Sequence, residues 1–310
     1  MKKQNMIIIK SFSVGNGDCF YIKHGYRASS FTIIDCYEND KENFSRIIKE
    51  IKEESRGKNI IRFISTHPDR DHIEGIERLF NTVNIHNFYC VENKATKADS
   101  FPDFDFYRSL RDGEKSFYIY KDCERAWMNK VDDEKKYGPA GINVLWPDTE
   151  NVFFKEALKA AKDGKSFNNI SPVLRYDLEN GVTALWLGDM EHDFLRNVYK
   201  SIQWPKTLDI LFAPHHGRDS GKVPDFILND IKPKLVIIGE APSEHLDYYS
   251  NWNTITQNSA GDITFYCETN KVHVFVANGS YSKQCDILKY EPDAQNLSDN
   301  KYLGTLNVED

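Results

Sequence analysis

The chain lacks any paired-cysteine motif: Cys19, Cys36, Cys90, Cys123, Cys267 and Cys285 are scattered, with no CxxC among them. That spacing offers neither a zinc ribbon nor a short disulfide framework, and it predicts reduced thiols in a reducing compartment. Positive charge is not in excess either. With 40 Lys and Arg against 47 Asp and Glu, the net charge is −7, unlike a protein coated in positive charge to hold nucleic acid along its whole surface; a local basic groove stays compatible. No run approaches the ~18 consecutive apolar residues needed to cross a bilayer. The opening "MKKQNMIIIKSFSVGNGDCFYIKHG" carries only a short apolar run before polar alternation and a Gly-Asn-Gly turn, which reads as a strand and not as a signal peptide. A cytoplasmic protein with no membrane partner is the expectation. No Pro/Gly/Ser-rich linker and no repeat of fixed period divides the 310 residues, and 40% hydrophobic content can fill a sizeable core.

What is present is ordered punctuation of strands and helices. "MIIIKSF", "CFYIKH" and "FTIIDC" read as three strands of an antiparallel meander. Phe44, Ile47, Ile48 and Ile51 follow at i, i+3, i+4, i+7 spacing in a charged segment, the pattern of an amphipathic helix. "NIIRFIS" is a continuous apolar strand, "HPDRDH" the loop at its end, and "IEGIERLF" the next helix. Residues 92–141, rich in charge and aromatics, are expected to be an insertion. "INVLWP", a helix over about 152–162, the hairpin "SPVLRYDLENGVTALWLGD", a helix after Met190, "LDILFAPHHG", a helix near 223–231, "PKLVIIGEA" and the hairpin "DITFYCETNKVHVFVAN" complete the pattern. Two rounds of strands followed by helices predict one α/β domain over residues 1–282, built of two halves in a layered sandwich. Residues 283–310 are polar and are expected to dock loosely or fray.

The densest chemistry lies in "STHPDRDHIEG". His67, Asp69, Asp71 and His72 offer two imidazoles and two carboxylates, donors that suit zinc, manganese or iron. Asp71 alone would serve as a helix N-cap, but capping needs one such side chain and this loop has four. Asp189 in "LWLGDMEH" stands at another strand end, where a carboxylate can bridge two ions and let a shared water lose its proton near neutral pH. In "LFAPHHGRDSG" one of His215 and His216 can be a ligand while the other orients it or contacts substrate; the expectation adopted is His215 as ligand and His216 as its neighbour. His245 in "GEAPSEHLDYYS" could protonate a leaving group or hold a phosphate oxygen. His24, His86, His192 and His273 stand alone and read as structural or surface residues. All these candidates follow predicted strands, so a sandwich would gather them along one edge.

The motifs "VGNGDCFYI", "FTIIDC", "THPDRDHIEG", "VLWP", "NNISPVLRY", "LWLGDME" and "LFAPHHGRDS", in that order over about residues 7–280, resemble the metallo-β-lactamase fold superfamily. The likeness is strongest to the branch typified by the soluble hydrolase domain of DNA-uptake competence proteins, which has aspartate where Asp69 stands. The resemblance implies a four-layer αββα sandwich and two divalent metal ions, Zn2+ or Mn2+. His67, Asp69, Asp71, His72, Asp189 and His215 or His216 would be the ligands, with Asp35 as a supporting carboxylate. No histidine lies between His86 and Asp189, so the third imidazole of many relatives is missing, and Asn168 or Asn169 is expected to stand nearby instead. The membrane channel of the competence proteins has no counterpart, so DNA uptake is not implied.

Such a site predicts hydrolysis, with Asp71 both binding metal and orienting the nucleophile. A phosphodiesterase or nuclease acting on DNA or RNA is the first expectation. Lys155, Lys159, Lys162 and Lys165, then Arg218 and Lys222, offer local charge for a backbone, and the aromatics of residues 101–127 offer faces for stacking. Against that stand the commoner roles of such residues, a solvated helix face and a small satellite core. A hydrolase of a small phosphodiester or lactone is the alternative, favoured by the acidic net charge. A metal-stabilised subunit that binds a protein partner or a second copy is the third.

Overall fold

The protein is described by a computed structural model covering residues 6–25, 28–132, 134 and 136–308. As the sequence predicts, β1 (Ile7–Ser11), β2 (Phe20–Lys23) and β3 (Ser30–Ile34) form an antiparallel meander. Helix α1 (Lys41–Glu54) follows, opened by Asp40, whose side chain accepts from the Asn43 N–H at 2.7 Å. It buries Phe44, Ile47, Ile48 and Ile51, each worth roughly 1.5–3 kcal/mol of removal from water. The chain then crosses to β4 (Ile60–Ile64), parallel to β3, passes short helices α2 (Arg70–Ile73) and α3 (Ile76–Thr82), and adds β5 (Asn87–Cys90) parallel to β4.

Residues 92–141, expected as an insertion, partly belong to the framework. They supply α4 (Pro102–Arg111) and β6 (Ser116–Tyr118), which extends the sheet parallel to β5. Phe101, Phe104 and Tyr107 belong to the main core, with Phe106, Phe117 and Tyr118 packed against it, so this aromatic stretch is part of that core and not a separate satellite.

The second half holds β7 (Ile142–Trp146), α5 (Val152–Lys162), β8 (Val173–Asp177), β9 (Thr183–Trp186), α6 (His192–Val198), β10 (Leu208–Phe212), α7 (Asp225–Ile231), β11 (Pro233–Ile238), β12 (Thr254–Thr256) and α8 (Gln257–Ala260). The chain then returns to the first sheet with β13 (Ile263–Glu268), β14 (Lys271–Val276) and β15 (Lys301–Asn307). The nine-stranded sheet runs β15-β14-β13-β1-β2-β3-β4-β5-β6 and the six-stranded one β12-β11-β10-β9-β8-β7.

The polar segment after residue 282 is thus not a frayed tail. β15 pairs antiparallel with β14, and Thr305 Oγ1 meets His273 Nδ1 at 2.7 Å. The open edge of β14 explains the difference, because its backbone groups gain partners that composition does not advertise.

The sheets meet face to face. Phe20 of β2 packs on Trp186 of β9 and Phe212 of β10, with centroids 6.2 and 5.0 Å apart, and Phe212 on Phe265 of β13 at 6.2 Å. Outside the first sheet, Tyr21 donates to Glu50 of α1; outside the second, Trp146 packs on Phe154 of α5 and Phe194 of α6. The result is a four-layer αββα sandwich. All six cysteines are unpaired, and among the described residues no helix is long and apolar enough to cross a membrane.

Candidate metal centre

The apolar runs of β4, β9 and β10 end in loops on one rim, and backbone hydrogen bonds sew those loops together. The Asp18 N–H donates to the Asp71 carbonyl at 3.1 Å, the Cys36 N–H to that of His72 at 3.0 Å, and the His215 N–H to that of Gly188 at 3.1 Å. Segments far apart in the chain are thereby held in one register before any ligand is considered.

Asp189 sits at the centre. Its Oδ1 lies 3.2 Å from His72 Nε2, and its Oδ2 lies 3.6 Å from His216 Nε2, 3.7 Å from His215 Nε2 and 3.8 Å from His67 Nε2. Asp71 Oδ2 approaches His216 Nε2 at 3.5 Å, and Asp69 Oδ2 approaches His67 Nε2 at 3.6 Å. Asp189 is therefore shared: His67, His215 and His216 face its Oδ2 and His72 its Oδ1, with Asp69 beside His67 and Asp71 beside His216. Asp18, His72, Asp189 and His216 bring one ligand atom each to within 4.8 Å of one another.

The polar atoms pass a simple test of fit to a cation. Nε2 of His67, His72 and His216 and Oδ1 of Asp189 are buried without a hydrogen-bond partner. Leaving such atoms unpaired costs roughly 1–3 kcal/mol each, a cost that a divalent cation would remove. Mixed imidazole and carboxylate donors suit zinc or manganese.

The far sides of the rings are anchored. Asp35 accepts from the Thr66 N–H at 2.8 Å, from its hydroxyl at 2.5 Å and from His72 Nδ1 at 2.9 Å. Asp18 faces His216 Nδ1 at 3.1 Å, Ser220 Oγ faces His215 Nδ1 at 2.8 Å, and Ser171 Oγ faces His67 Nδ1 at 3.3 Å. The carboxylate partners require a proton on Nδ1 of His72 and His216, and all four partners orient the rings so that Nε2 faces the centre.

Burial and charge perturb the titrations. Burial raises the Asp35 pKa and lowers that of His67. Burial also opposes protonation of His72, yet Asp189 and Asp35 overcome it and raise its pKa well above the ordinary value. His216 is likewise opposed by burial but pushed up to about 10 by Asp189 and Asp18. A raised folded-state value means that protonated His216 contributes stability fully present below its unfolded pKa of about 6.5 and lost as pH rises through about 10. Chelated protein should therefore lose melting temperature as pH rises from 7 to 10. Protein saturated with cation should be less sensitive, since ligation requires the neutral ring; parallel melting profiles for the two forms would refute this.

Two backbone features explain the placement. His215 and His216 have φ of 52° and 57°, and Gly217 follows at 88°. Consecutive left-handed residues without glycine are strained, and persist where the surroundings over-determine them. Gly188 has φ 51°, and a Cβ there would meet Ser171 Oγ at 2.6 Å and Thr66 Cβ at 3.1 Å. Gly188→Ala is expected to cost roughly 2–4 kcal/mol from overpacking and left-handed strain, read as a lowered urea midpoint in chelated protein; an unchanged midpoint would show that the loop yields.

Several expected site residues fall elsewhere in role. His216, expected beside the ligand, lies fully among the donors, while His215 also reaches Asp189 from a more exposed position. Asn169 does not stand in for the missing imidazole. Its Nδ2 donates to Glu191 at 2.7 Å and its Oδ1 accepts from the Glu191 N–H at 3.0 Å, and Asn168 also turns to Glu191. Buried Ser171 lies instead against His67 Nδ1, on the side away from the centre. His245 has its described contacts with Glu244 at 3.6 Å and stacked on Tyr248, not with the donor cluster. Asp18 was not among the expected ligands; its signal was an acid directly after the Gly-Asn-Gly turn. Of the lone histidines, His24 and His273 meet threonine hydroxyls, His86 accepts from the Ile61 N–H, and His192 donates to the Lys222 carbonyl.

No family model and no curated protein sequence matches the chain. Among solved structures it is similar to a protein from Thermotoga maritima provisionally classed as a zinc-dependent hydrolase of the metallo-β-lactamase superfamily, at 12% identity and a TM-score of 0.33, covering 79% of this chain and 87% of that one. It is also similar to a long-form RNase Z from yeast, at 10% identity and a TM-score of 0.39, covering 83% of this chain but 41% of that one. Those likenesses are distant, and what the centre can do follows from its own donors. The chain is an αββα sandwich with a candidate centre for divalent cations on one rim.

Proposed function

We propose that this protein is a metal-dependent hydrolase of phosphodiesters, with DNA or RNA as substrate. The observation that carries the reading is the convergence of bare, buried imidazole nitrogens on both oxygens of Asp189. Divalent cations bound there, two of them on this reading, would supply charge neutralisation and an activated water. Asp71 beside His216 and Asp69 beside His67 border the centre, where each can steer the nucleophile or the departing group.

Cations of the chain itself favour an anionic substrate over a neutral lactone. Lys97 Nζ lies 3.3 Å from Asp69 Oδ1, steadied over the Phe101 and Phe167 rings at 5.7 and 5.4 Å. Arg218, next to the histidine pair, has a buried Nε without a partner. Both can take phosphoryl oxygens. A small phosphodiester is the second reading, favoured by a cavity of about 400 Å³ that includes Ser220, the partner of His215. Glu191, Asp193 and Asp219 outnumber Lys222 in its wall, and would repel a long polyanion.

The test offers the protein, with manganese and then zinc, single- and double-stranded DNA, RNA and bis-p-nitrophenyl phosphate. Asp71→Ala and His72→Ala serve as controls. Polymer cleavage lost in both variants is the expected result. Cleavage of the small diester alone selects the second reading, and bound metal with no cleavage at all would leave a metal-stabilised binding subunit.

A further inference from the structure

A second cavity, of about 810 Å³, lies where the free edges of the two sheets meet. The segment after β6 closes this seam: the Lys121 N–H donates to the Pro147 carbonyl at 2.8 Å, and the Asp122 N–H to that of Val144 at 3.0 Å. None of the metal-centre donors lines it. Its size falls in the range of roughly 300–1,000 Å³ typical of small-molecule sites.

The wall combines charge and aromatic surface in an unusual way for this chain. Lys94, Arg125, Lys159 and Lys162 face it against one acid, Glu92, although the chain as a whole carries net charge −7. Lys94 is partly neutralised by Asp112 at 3.5 Å. Lys159 and Lys162, exposed in the last turn of α5, enter no ion pair among the described residues.

Arg125 is held in place with capacity to spare. Its Nη2 donates to the Tyr118 carbonyl at 2.9 Å and its guanidinium lies 5.6 Å from the centroid of the Phe117 ring. Its Nε is buried without a partner. Tyr120, 45% exposed and among the few large hydrophobic side chains left in solvent, contributes to the same wall.

We propose that this cavity binds a nucleotide, with the base against the exposed Tyr120 ring and the phosphate on Arg125, Lys159 and Lys162. Stacking on aromatic faces tolerates any base, and guanidinium and ammonium groups match a phosphate where a purely apolar ligand would leave them unpaired. A free mononucleotide and one residue of a nucleic-acid strand share this chemistry. The site is independent of whether the metal centre hydrolyses anything.

Calorimetric titration of the intact protein with AMP, adenosine, inorganic phosphate and a tetra-adenylate tests it, repeated on Lys159→Glu/Lys162→Glu, Tyr120→Ala and His72→Ala. AMP should bind more tightly than adenosine or phosphate. The lysine double variant should weaken AMP by about tenfold or more, as loss of charge-assisted hydrogen bonds implies. Tyr120→Ala should weaken AMP and adenosine but not phosphate, and His72→Ala should leave AMP binding unchanged. Binding of the tetra-adenylate without AMP, abolished by the same variants, would assign the cavity to a strand; binding of both would show that a free nucleotide suffices. Failure of both to bind, AMP affinity indifferent to the lysine and tyrosine variants, loss of AMP in His72→Ala, or phosphate binding as tightly as AMP would each overturn the proposal. A failed cleavage assay would not, since that bears on the metal centre alone.

Discussion

Asp189→Asn is expected to strip the centre of its cations and its hydrolytic activity while leaving both sheets folded. Asp189 is the side chain that faces His67, His72, His215 and His216 together. Asparagine keeps its shape and loses its charge. Removing one partner of a buried charge pair costs roughly 3–5 kcal/mol, which is roughly two to four decades of cation affinity. The fold survives because imidazoles freed of a neighbouring carboxylate can shed their protons and become neutral, and because the bond from the Asp189 N–H to Ser171 Oγ belongs to the backbone. Elemental analysis after dialysis, with far-ultraviolet circular dichroism alongside, checks both halves. A variant that keeps its full cation content would show that Asp189 is not the shared ligand.

Asp35→Asn comes next in expected effect and tests a residue that need touch no cation. Asp35 is fully buried, has φ 54°, and holds Thr66 and His72 through three hydrogen bonds. Asparagine tolerates the left-handed backbone, so the substitution isolates the lost charge and acceptor. Its single amide oxygen cannot both accept from the Thr66 N–H at the Oδ1 position and accept from the Thr66 hydroxyl and His72 Nδ1 at the Oδ2 position. Stability should fall by about 1–3 kcal/mol and cation affinity by about 10–100-fold, the usual range for a partner of a ligand imidazole. Urea unfolding of chelated protein reads the first and competitive cation titration the second. Unchanged affinity with reduced stability would make Asp35 a fold residue alone.

Strand ends were the most legible part of the site. The runs before His67, Asp189 and His215 are mostly apolar, broken by Arg62 and Asp209, and are followed by Gly or Pro, so their β character and the loops after them follow from pattern. The same reasoning found α1 from four apolar positions. It missed β6, three residues long, and β15, seven residues long with a mixed composition, because both are edge strands whose stability comes from pairing with a neighbour and not from their own composition. It also could not see that "IEGIERLF" breaks into separate helices, with Gly75 at φ 90° between them.

By itself the sequence determined which donor types the protein owns, that they follow strands, and that those strands belong to a layered α/β domain. Tertiary structure decided which donors meet. It recruited Asp18 and Ser171, turned Asn169 toward Glu191, left His245 against Tyr248, and placed His216 deeper than His215. The physical reason is that spacing along a chain records position, whereas the direction of a side chain in a strained left-handed turn is set by the packing of every element around it.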